Sequence, residues 1–305
     1  MKEHSLTDLL SGEDRGLSKL ITLLSDLAAM VRERIPLELG MSEGVNVYGE
    51  KQMDIDVWSN DLFVKKLLKS GLVRQVASEE MGEVAESKSG DYSVVLDPLD
   101  GSSNIRSNNL LGTIVGVYHD TSLPAKGRNL LAAMYFLYGP FLQLVIALHD
   151  GVRSSVAAGK GAGAKSFISD GEIHKLPKPP TVYGIGGLKE KWTAPVKQFA
   201  ESLDKRRLSV RYGGSFVGDY NQVLSKGGFF AYPELVDSPQ GKYRLQFESN
   251  PVGFITEKAG GKAVSGIENV LDIEPDGIVQ KVPTYLGDPE LVSEFQSLYA
   301  KGSTA

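Results

Sequence analysis

Apolar positions in the first part of the chain follow two periods. Leu17, Leu20, Ile21, Leu24, Leu27, Ala28, Val31 and Ile35 recur at the spacing of one helix face, and Pro36 closes the segment. A polar, glycine-bearing stretch from Gly40 to Asp56 reads as a loop. Ser59 or Asn60 can then cap a second helix carrying Leu62, Phe63, Leu67 and Leu68. Short apolar runs follow and predict strands over Val73 to Ala77, Ser93 to Leu96, Thr113 to Tyr118 and Leu142 to Leu148. Leu130 to Leu148 carries no charge and approaches membrane-spanning length. Gly139-Pro140 interrupts it, and Tyr135, Tyr138 and Gln143 are scattered through it, so two buried elements joined by a turn account for it better. Leu176-Pro177-Lys178-Pro179-Pro180 is the clearest linker and divides the chain into an N-terminal unit, 1–178, and a C-terminal unit, 179–305. Glu248 opens the best-marked element of the second unit. Asn250 can cap it, Pro251 suits the first helical position, and Gly260-Gly261 ends it after Lys258. Alternating helices and strands in both units predict an α/β or layered α+β fold, without internal repeats.

Composition narrows the function. A chain of 305 residues, 41% hydrophobic, can bury a large core. Its net charge of -5 argues against nucleic acid or anionic membranes as bulk partners, but leaves room for a phosphorylated small molecule held by a local basic cluster. The absence of cysteine excludes disulfides, thiolate metal sites and thiol redox switching. Met1 to Asp8 lacks an apolar signal core and Lys301-Gly302-Ser303-Thr304-Ala305 is no peroxisomal address, so a cytoplasmic protein is expected, with an organelle left open.

The chemistry concentrates in Asp97-Pro98-Leu99-Asp100-Gly101-Ser102-Ser103-Asn104, which follows the apolar Val94-Val95-Leu96. Two carboxylates at the end of a buried strand can chelate a hard cation such as Mg2+, and the amides just after them can hold a phosphate oxygen. Metal-assisted hydrolysis of a phosphate ester needs both. Glu79-Glu80 reads either as solvated surface or as acids at a strand end, where ligands gather in open α/β sheets. Glu248 alone reads as an acid favouring a helix dipole. On a strand, Lys242 and Arg244 would share one face, which suits either a phosphorylated substrate or plain solvent. Gly159 to Ser166 imitates a Walker A loop but has Ala164 where glycine is needed, and reads as a flexible loop. Gly213-Gly214-Ser215-Phe216-Val217 lacks the second glycine of a nucleophile elbow, and the four histidines lack metal-like spacing.

Together with Ser78-Glu79-Glu80 and the run Gly241 to Gly261, the Asp97–Asn104 motif resembles the class I fructose-1,6- and sedoheptulose-1,7-bisphosphatases, of the lithium-sensitive Mg2+ phosphatase superfamily. The similarity runs from about Leu17 to Phe295, weaker between Ala157 and Leu208. It implies a layered αβαβα fold, two to three Mg2+ per site with Mn2+ as a possible substitute, and at least a homodimer, otherwise a homotetramer. By motif match Glu79, Asp97, Asp100 and Glu248 are implied metal ligands, assisted by the Leu99 carbonyl. Glu50 matches a loop acid that reaches a further metal, and Asp56 with Glu80 the pair that deprotonates water. Gly101, Ser102 and neighbouring Ser103, with Arg244, are implied holders of the scissile 1-phosphate. Lys242 spans toward the sugar; Tyr212, Tyr232 and Arg211 are implied grips of the distal phosphate, the arginine reaching in from a neighbouring subunit.

Two departures from the family pattern matter. Tyr183-Gly184-Ile185-Gly186-Gly187-Leu188-Lys189 stands where fructose bisphosphatases carry Asn-Glu-Gly-Tyr, and looks more like the sedoheptulose enzymes. The lost side chains are expected to enlarge the distal pocket, so the substrate expected is sedoheptulose 1,7-bisphosphate with overlapping fructose 1,6-bisphosphate activity. Val45 to Glu50 and Asp219-Tyr220-Asn221-Gln222 lean the same way, Ser238 to Glu248 the other. A dedicated fructose bisphosphatase, an inositol-monophosphatase-like enzyme and an inactive sugar-phosphate sensor are the alternatives. Second, AMP-inhibited members carry Gly-Thr-Gly-Glu-Leu-Thr before the first helix and Lys-Tyr before the metal strand, where this chain has Glu13 to Ser18 and Asp91-Tyr92. Acids there repel a nucleotide phosphate, so weak or no AMP inhibition is expected. The missing cysteines likewise exclude thioredoxin control of the chloroplast type.

Overall fold

Side chains along Tyr92–Asp100 go alternately to two cores. Val94 and Leu96 pack with Leu20, Leu24 and Phe63, whereas Val95 packs with Val217, Tyr220 and Val252. A strand that is apolar on both faces is one covered by helices on both sides, and the architecture grows from that fact.

The computed structural model describes residues 4–37, 41–45, 51–158, 163 and 167–302. In chain order the first half comprises β1 (His4–Ser5), α1 (Leu6–Leu9), α2 (Arg15–Arg34), β2 (Met41–Val45), β3 (Lys51–Met53) and α3 (Asp54–Lys69). There follow β4 (Val73–Ser78), β5 (Ala85–Glu86), β6 (Tyr92–Asp100), β7 (Leu111–His119), β8 (Ala132–Tyr138), β9 (Leu142–Leu148), β10 (Gly151–Ala157) and β11 (Phe167–Ser169). The second half comprises β12 (Val182–Ile185), α4 (Ala194–Lys205), β13 (Ser209–Val210), α5 (Phe216–Lys226) and β14 (Gly228–Tyr232). It ends with α6 (Asn250–Lys258), β15 (Lys262–Ser265), β16 (Glu268–Asn269), β17 (Thr284–Gly287) and α7 (Pro289–Gly302).

Nine strands form one sheet in the order β1-β11-β10-β9-β8-β7-β6-β4-β5, and six form another, β13-β12-β14-β17-β15-β16. Helices α2 and α3 cover the outer face of the first sheet, α5 and α6 lie between the sheets, and α4 and α7 cover the far face of the second. This is the expected αβαβα layering. The Pro-rich segment 176–180 runs between the last strand of the first sheet and β12, while the middle core draws on both halves. The uncharged 130–148 stretch is β8 and β9 joined at Gly139-Pro140, with the polar groups expected to argue against a membrane span satisfied internally: Tyr135 donates to Asn221, and Gln143 to Ser154. No helix among the described residues is long and apolar enough to cross a membrane.

Four local expectations need correction. The second helix starts at Asp54, not at Ser59 or Asn60; Ile55 already packs in the core, and Ser59 is buried inside the helix. Strands β2 and β3 also replace part of the loop expected from Gly40 to Asp56. Asn250 does not cap α6. The backbone is already helical at Ser249, because a π-helical turn, Leu245–Ser249, runs directly into it. Lys242 and Arg244 are not on a strand, and their environments differ: Lys242 is exposed, and Arg244 is buried.

Candidate active site

Asp97 and Asp100 are three apart, a spacing that puts side chains on opposite faces of a regular strand. Here Asp97 pairs with Ile114 and Asp100 with Gly112, so Pro98-Leu99 sits opposite Thr113 alone and forms a bulge. Proline, without an N–H for the ladder, suits that place. The bulge returns both carboxylates to one side, and Thr113 fixes it by donating to the Pro98 carbonyl at 2.8 Å. The Leu99 amide donates to Asp97 at 2.9 Å. Gly101 then turns with φ +78, and a Cβ there would stand 2.7 Å from that of Ser215, so the turn demands glycine twice over.

Around this turn a pocket is lined by Asp56 from the first turn of α3, Glu79 and Glu80 just past β4, Asp97, Leu99, Asp100, Gly101, Ser102, Ser103, Lys242 and Glu248. The sequence-predicted acids thus converge, except Glu50, which lies outside the described residues with 46–49; so does the Walker-like loop, apart from Gly163. Oxygens of Glu79, Asp97 and Glu248 come within 4.8 Å of one another. Burial, then Glu79 and Asp100, push the Asp97 carboxyl well above the usual carboxylate range, and burial with Glu79 does the same to Glu248. Buried carboxylates that repel one another are relieved by a cation, and an all-oxygen donor set suits a hard divalent ion, so these residues fit such a metal.

Asp100 stands apart from that trio. Its carboxylate accepts from the Ser215 hydroxyl at 2.7 Å and from the amides of Phe216 and Val217 at 3.1 and 2.9 Å, the start of α5. Burial raises its pKa against the opposing effect of these bonds. Glu248 sits in the π turn and accepts from the Arg244 amide at 2.7 Å. The Arg244 guanidinium donates to Glu79, and Arg244 is not among the residues lining the pocket.

Lys242 bridges to an aromatic group. Its Nζ lies 5.5 Å from the Tyr232 ring centre and 5.9 Å from that of Tyr243, which stacks on Phe216 at 4.1 Å. Tyr212 belongs to the same group, its pKa pushed up to about 12 by burial and by Tyr232. Arg211 is exposed beside the edge strand β13, its guanidinium donating to the Val210 carbonyl at 2.8 Å.

The glycines at 184, 186 and 187 do not open this end of the site, contrary to expectation. A Cβ at Gly186 would lie 2.4 Å from the Tyr232 ring and 2.9 Å from the Tyr212 hydroxyl; one at Gly184 would lie 2.3 Å from the Arg211 carbonyl. One at Gly187, itself at φ +80, would meet Leu235 at 2.9 Å. Tyrosine rings and backbone fill the volume that the missing side chains release.

Asn104, Ser215 and Asp219 stand in motifs named from the sequence, but none is given a role in the site there. Asp219 is buried and accepts from the amides of Gly213 and Gly214 at 2.6 and 3.0 Å. A serine followed four residues later by an aspartate at a helix start was the available signal.

The fructose-1-6-bisphosphatase N-terminal domain profile matches residues 9–161, and the C-terminal domain profile residues 176–300. A class 1 fructose-1,6-bisphosphatase of Halobacterium salinarum is 39% identical over 88% of this chain and 92% of its own. The holo crystal structure of Leishmania major fructose-1,6-bisphosphatase superposes with a TM-score of 0.89 at 29% identity, covering 99% of this chain and 100% of that one. A Toxoplasma gondii structure provisionally named as a sedoheptulose-1,7 bisphosphatase superposes at 0.88 and 24% identity, covering 98% and 99%, and speaks for the fold alone. Matched by both domain profiles and by relatives along most of its length, the chain belongs to the class 1 fructose-1,6-bisphosphatase family and is a phosphoric monoester hydrolase.

Proposed function

We propose that this chain removes the 1-phosphate of a ketose bisphosphate with the aid of Mg2+, and that its main substrate is fructose 1,6-bisphosphate. The observation that carries the reading is a trio of mutually repelling carboxylates, Asp97 and Glu248 buried and Glu79 half-buried, opening onto a glycine-serine turn, with Lys242, Tyr212 and Tyr232 on the distal side.

In this reading Glu79, Asp97, Asp100 and Glu248, with the Leu99 carbonyl, hold two to three divalent ions, Mn2+ serving as a substitute. Such ions, when bound, acidify water and draw charge off a phosphoryl oxygen. Asp56 and Glu80 accept the proton of the attacking water, and the amides of Gly101, Ser102 and Ser103 orient the phosphoryl group. The water oxygen bonds to phosphorus as the bond from phosphorus to the sugar oxygen breaks, with no covalent enzyme intermediate, and the departing sugar oxygen takes up a proton from solvent to leave as the alcohol. Arg244, paired with Glu79, acts by steadying that acid. Lys242 lies along the sugar; Tyr212 and Tyr232 take the distal phosphate, and Arg211 serves the site of a neighbouring copy in a homodimer or homotetramer.

The preference for fructose over sedoheptulose rests on the filled space at Gly184, Gly186 and Gly187 and on curated relatives named fructose-1,6-bisphosphatase. Phosphate release from fructose 1,6-bisphosphate, measured with Mg2+ and with a chelator, tests the chemistry. Release that persists undiminished in the chelator overturns it.

A further inference from the structure

The loop Arg211-Tyr212-Gly213-Gly214-Ser215 is held at both edges and at its end. On one edge the Asp219 carboxylate accepts from the amides of Gly213 and Gly214 at 2.6 and 3.0 Å. On the other the Gly213 carbonyl accepts from the side-chain amides of Asn104 and Asn109 at 2.9 and 3.1 Å. At its end Ser215 donates to Asp100 at 2.7 Å. Gly214 has φ +83, a left-handed path that glycine takes freely; its flexibility leaves the loop to be held by outside bonds, and Asp219 is the buried group accepting two of them. A carboxylate buried to 5% exposure is costly unless its hydrogen bonds do something a neutral side chain could not.

We propose that Asp219 is a positioning residue that sets the distance between the two phosphate subsites. The start of α5 ties to Asp100, and its first turn, through Asp219, fixes the backbone that carries Tyr212. This rests on the distal-phosphate reading given above. Asp219 touches neither phosphate; it keeps the loop that grips the distal one at a fixed reach from Asp100. An asparagine is isosteric but offers an NH2 to one of the two glycine amides, so one bond of the brace is lost and the loop loosens.

The test is steady-state kinetics on Asp219→Asn with two substrates. Fructose 1,6-bisphosphate carries the distal phosphate, and fructose 1-phosphate lacks it. The expected result is a KM for the bisphosphate raised about tenfold with kcat within about twofold, and an unchanged kcat/KM for fructose 1-phosphate. Binding of the product fructose 6-phosphate should weaken by the same factor, and hydrogen exchange at the Gly213 and Gly214 amides should quicken. Equal losses on both substrates, or an unchanged bisphosphate KM, overturn the proposal. Should the variant not fold, Asn109→Ala decides, because that exposed side chain braces the other edge of the same loop by donating to the Gly213 carbonyl: a KM raised about threefold supports the proposal and an unchanged KM overturns it. A wild-type chain that releases no phosphate from fructose 1,6-bisphosphate overturns the proposed function itself, and this inference with it. That outcome is separate because it appears before any variant is made.

Discussion

At the scale of single residues the site is a set of groups held in states they would avoid in water. Asp97 and Glu248 are raised well above the usual carboxylate range by burial and by their neighbours, so the native state of the metal-free protein holds protons that the unfolded chain has released. The stability these acids contribute is therefore fullest below the ordinary carboxylate range and is lost as pH rises through the raised native values. A divalent cation needs the deprotonated acids, so its stabilisation grows as those protons leave. The gain in Tm on adding MgCl2 is predicted to be larger at about pH 8 than at about pH 5.5. Equal gains contradict it. Gly186 makes a second residue-scale case. Gly186→Ala drives a Cβ into the Tyr232 ring and against the Tyr212 hydroxyl, an overpacking of about 1–3 kcal/mol. The expected kinetic result is a raised KM for the bisphosphate with little change in kcat, and an unchanged KM would show that these rings do not border the substrate.

At the scale of elements, the start of α2 bears on regulation. Asp14 caps it, accepting from the amides of Gly16 and Leu17 at 2.7 and 3.2 Å, and the Tyr92 hydroxyl adds a bond of 2.8 Å. Those bonds hold the Asp14 carboxyl below its usual range, so the chain's own anion occupies the helix end that would otherwise attract a phosphate. Millimolar AMP is accordingly expected to leave the hydrolysis rate unchanged, and strong inhibition would refute this. The same elements show what patterning can reveal. The strand Leu142–Leu148 and the Gly-Pro break before it were legible because an apolar run bounded by turn residues has one simple reading. The start of α3 was not, because Asp54 and Asp56 look like loop residues until Ile55 is known to be buried. The π turn before α6 left no mark either: periodicity cannot register an inserted residue that only Glu248, bonding back to the Arg244 amide, makes visible.

At the scale of the whole molecule, five layers bring acids from four segments to one pocket. The carboxylates themselves were legible because acids after a buried apolar run are rare without a use. Their arrangement was less so. The bulge at Pro98-Leu99 depends on a register that no local pattern carries, and the tie from Asp100 to α5 on contacts more than a hundred residues apart, whereas the brace of Asp219 spans only five and six residues. The pocket enlargement expected from the run Gly184 to Lys189 is not seen, for a related reason. A missing side chain enlarges a pocket only when nothing fills the space, and here Tyr212 and Tyr232 do. The most direct test of the whole account is therefore a comparison of kcat/KM, with Mg2+ present, for fructose 1,6-bisphosphate, sedoheptulose 1,7-bisphosphate and inositol monophosphate. The highest value is expected for the fructose ester and the lowest for the monophosphate. A preference for inositol monophosphate, or no hydrolysis of either bisphosphate, would contradict it.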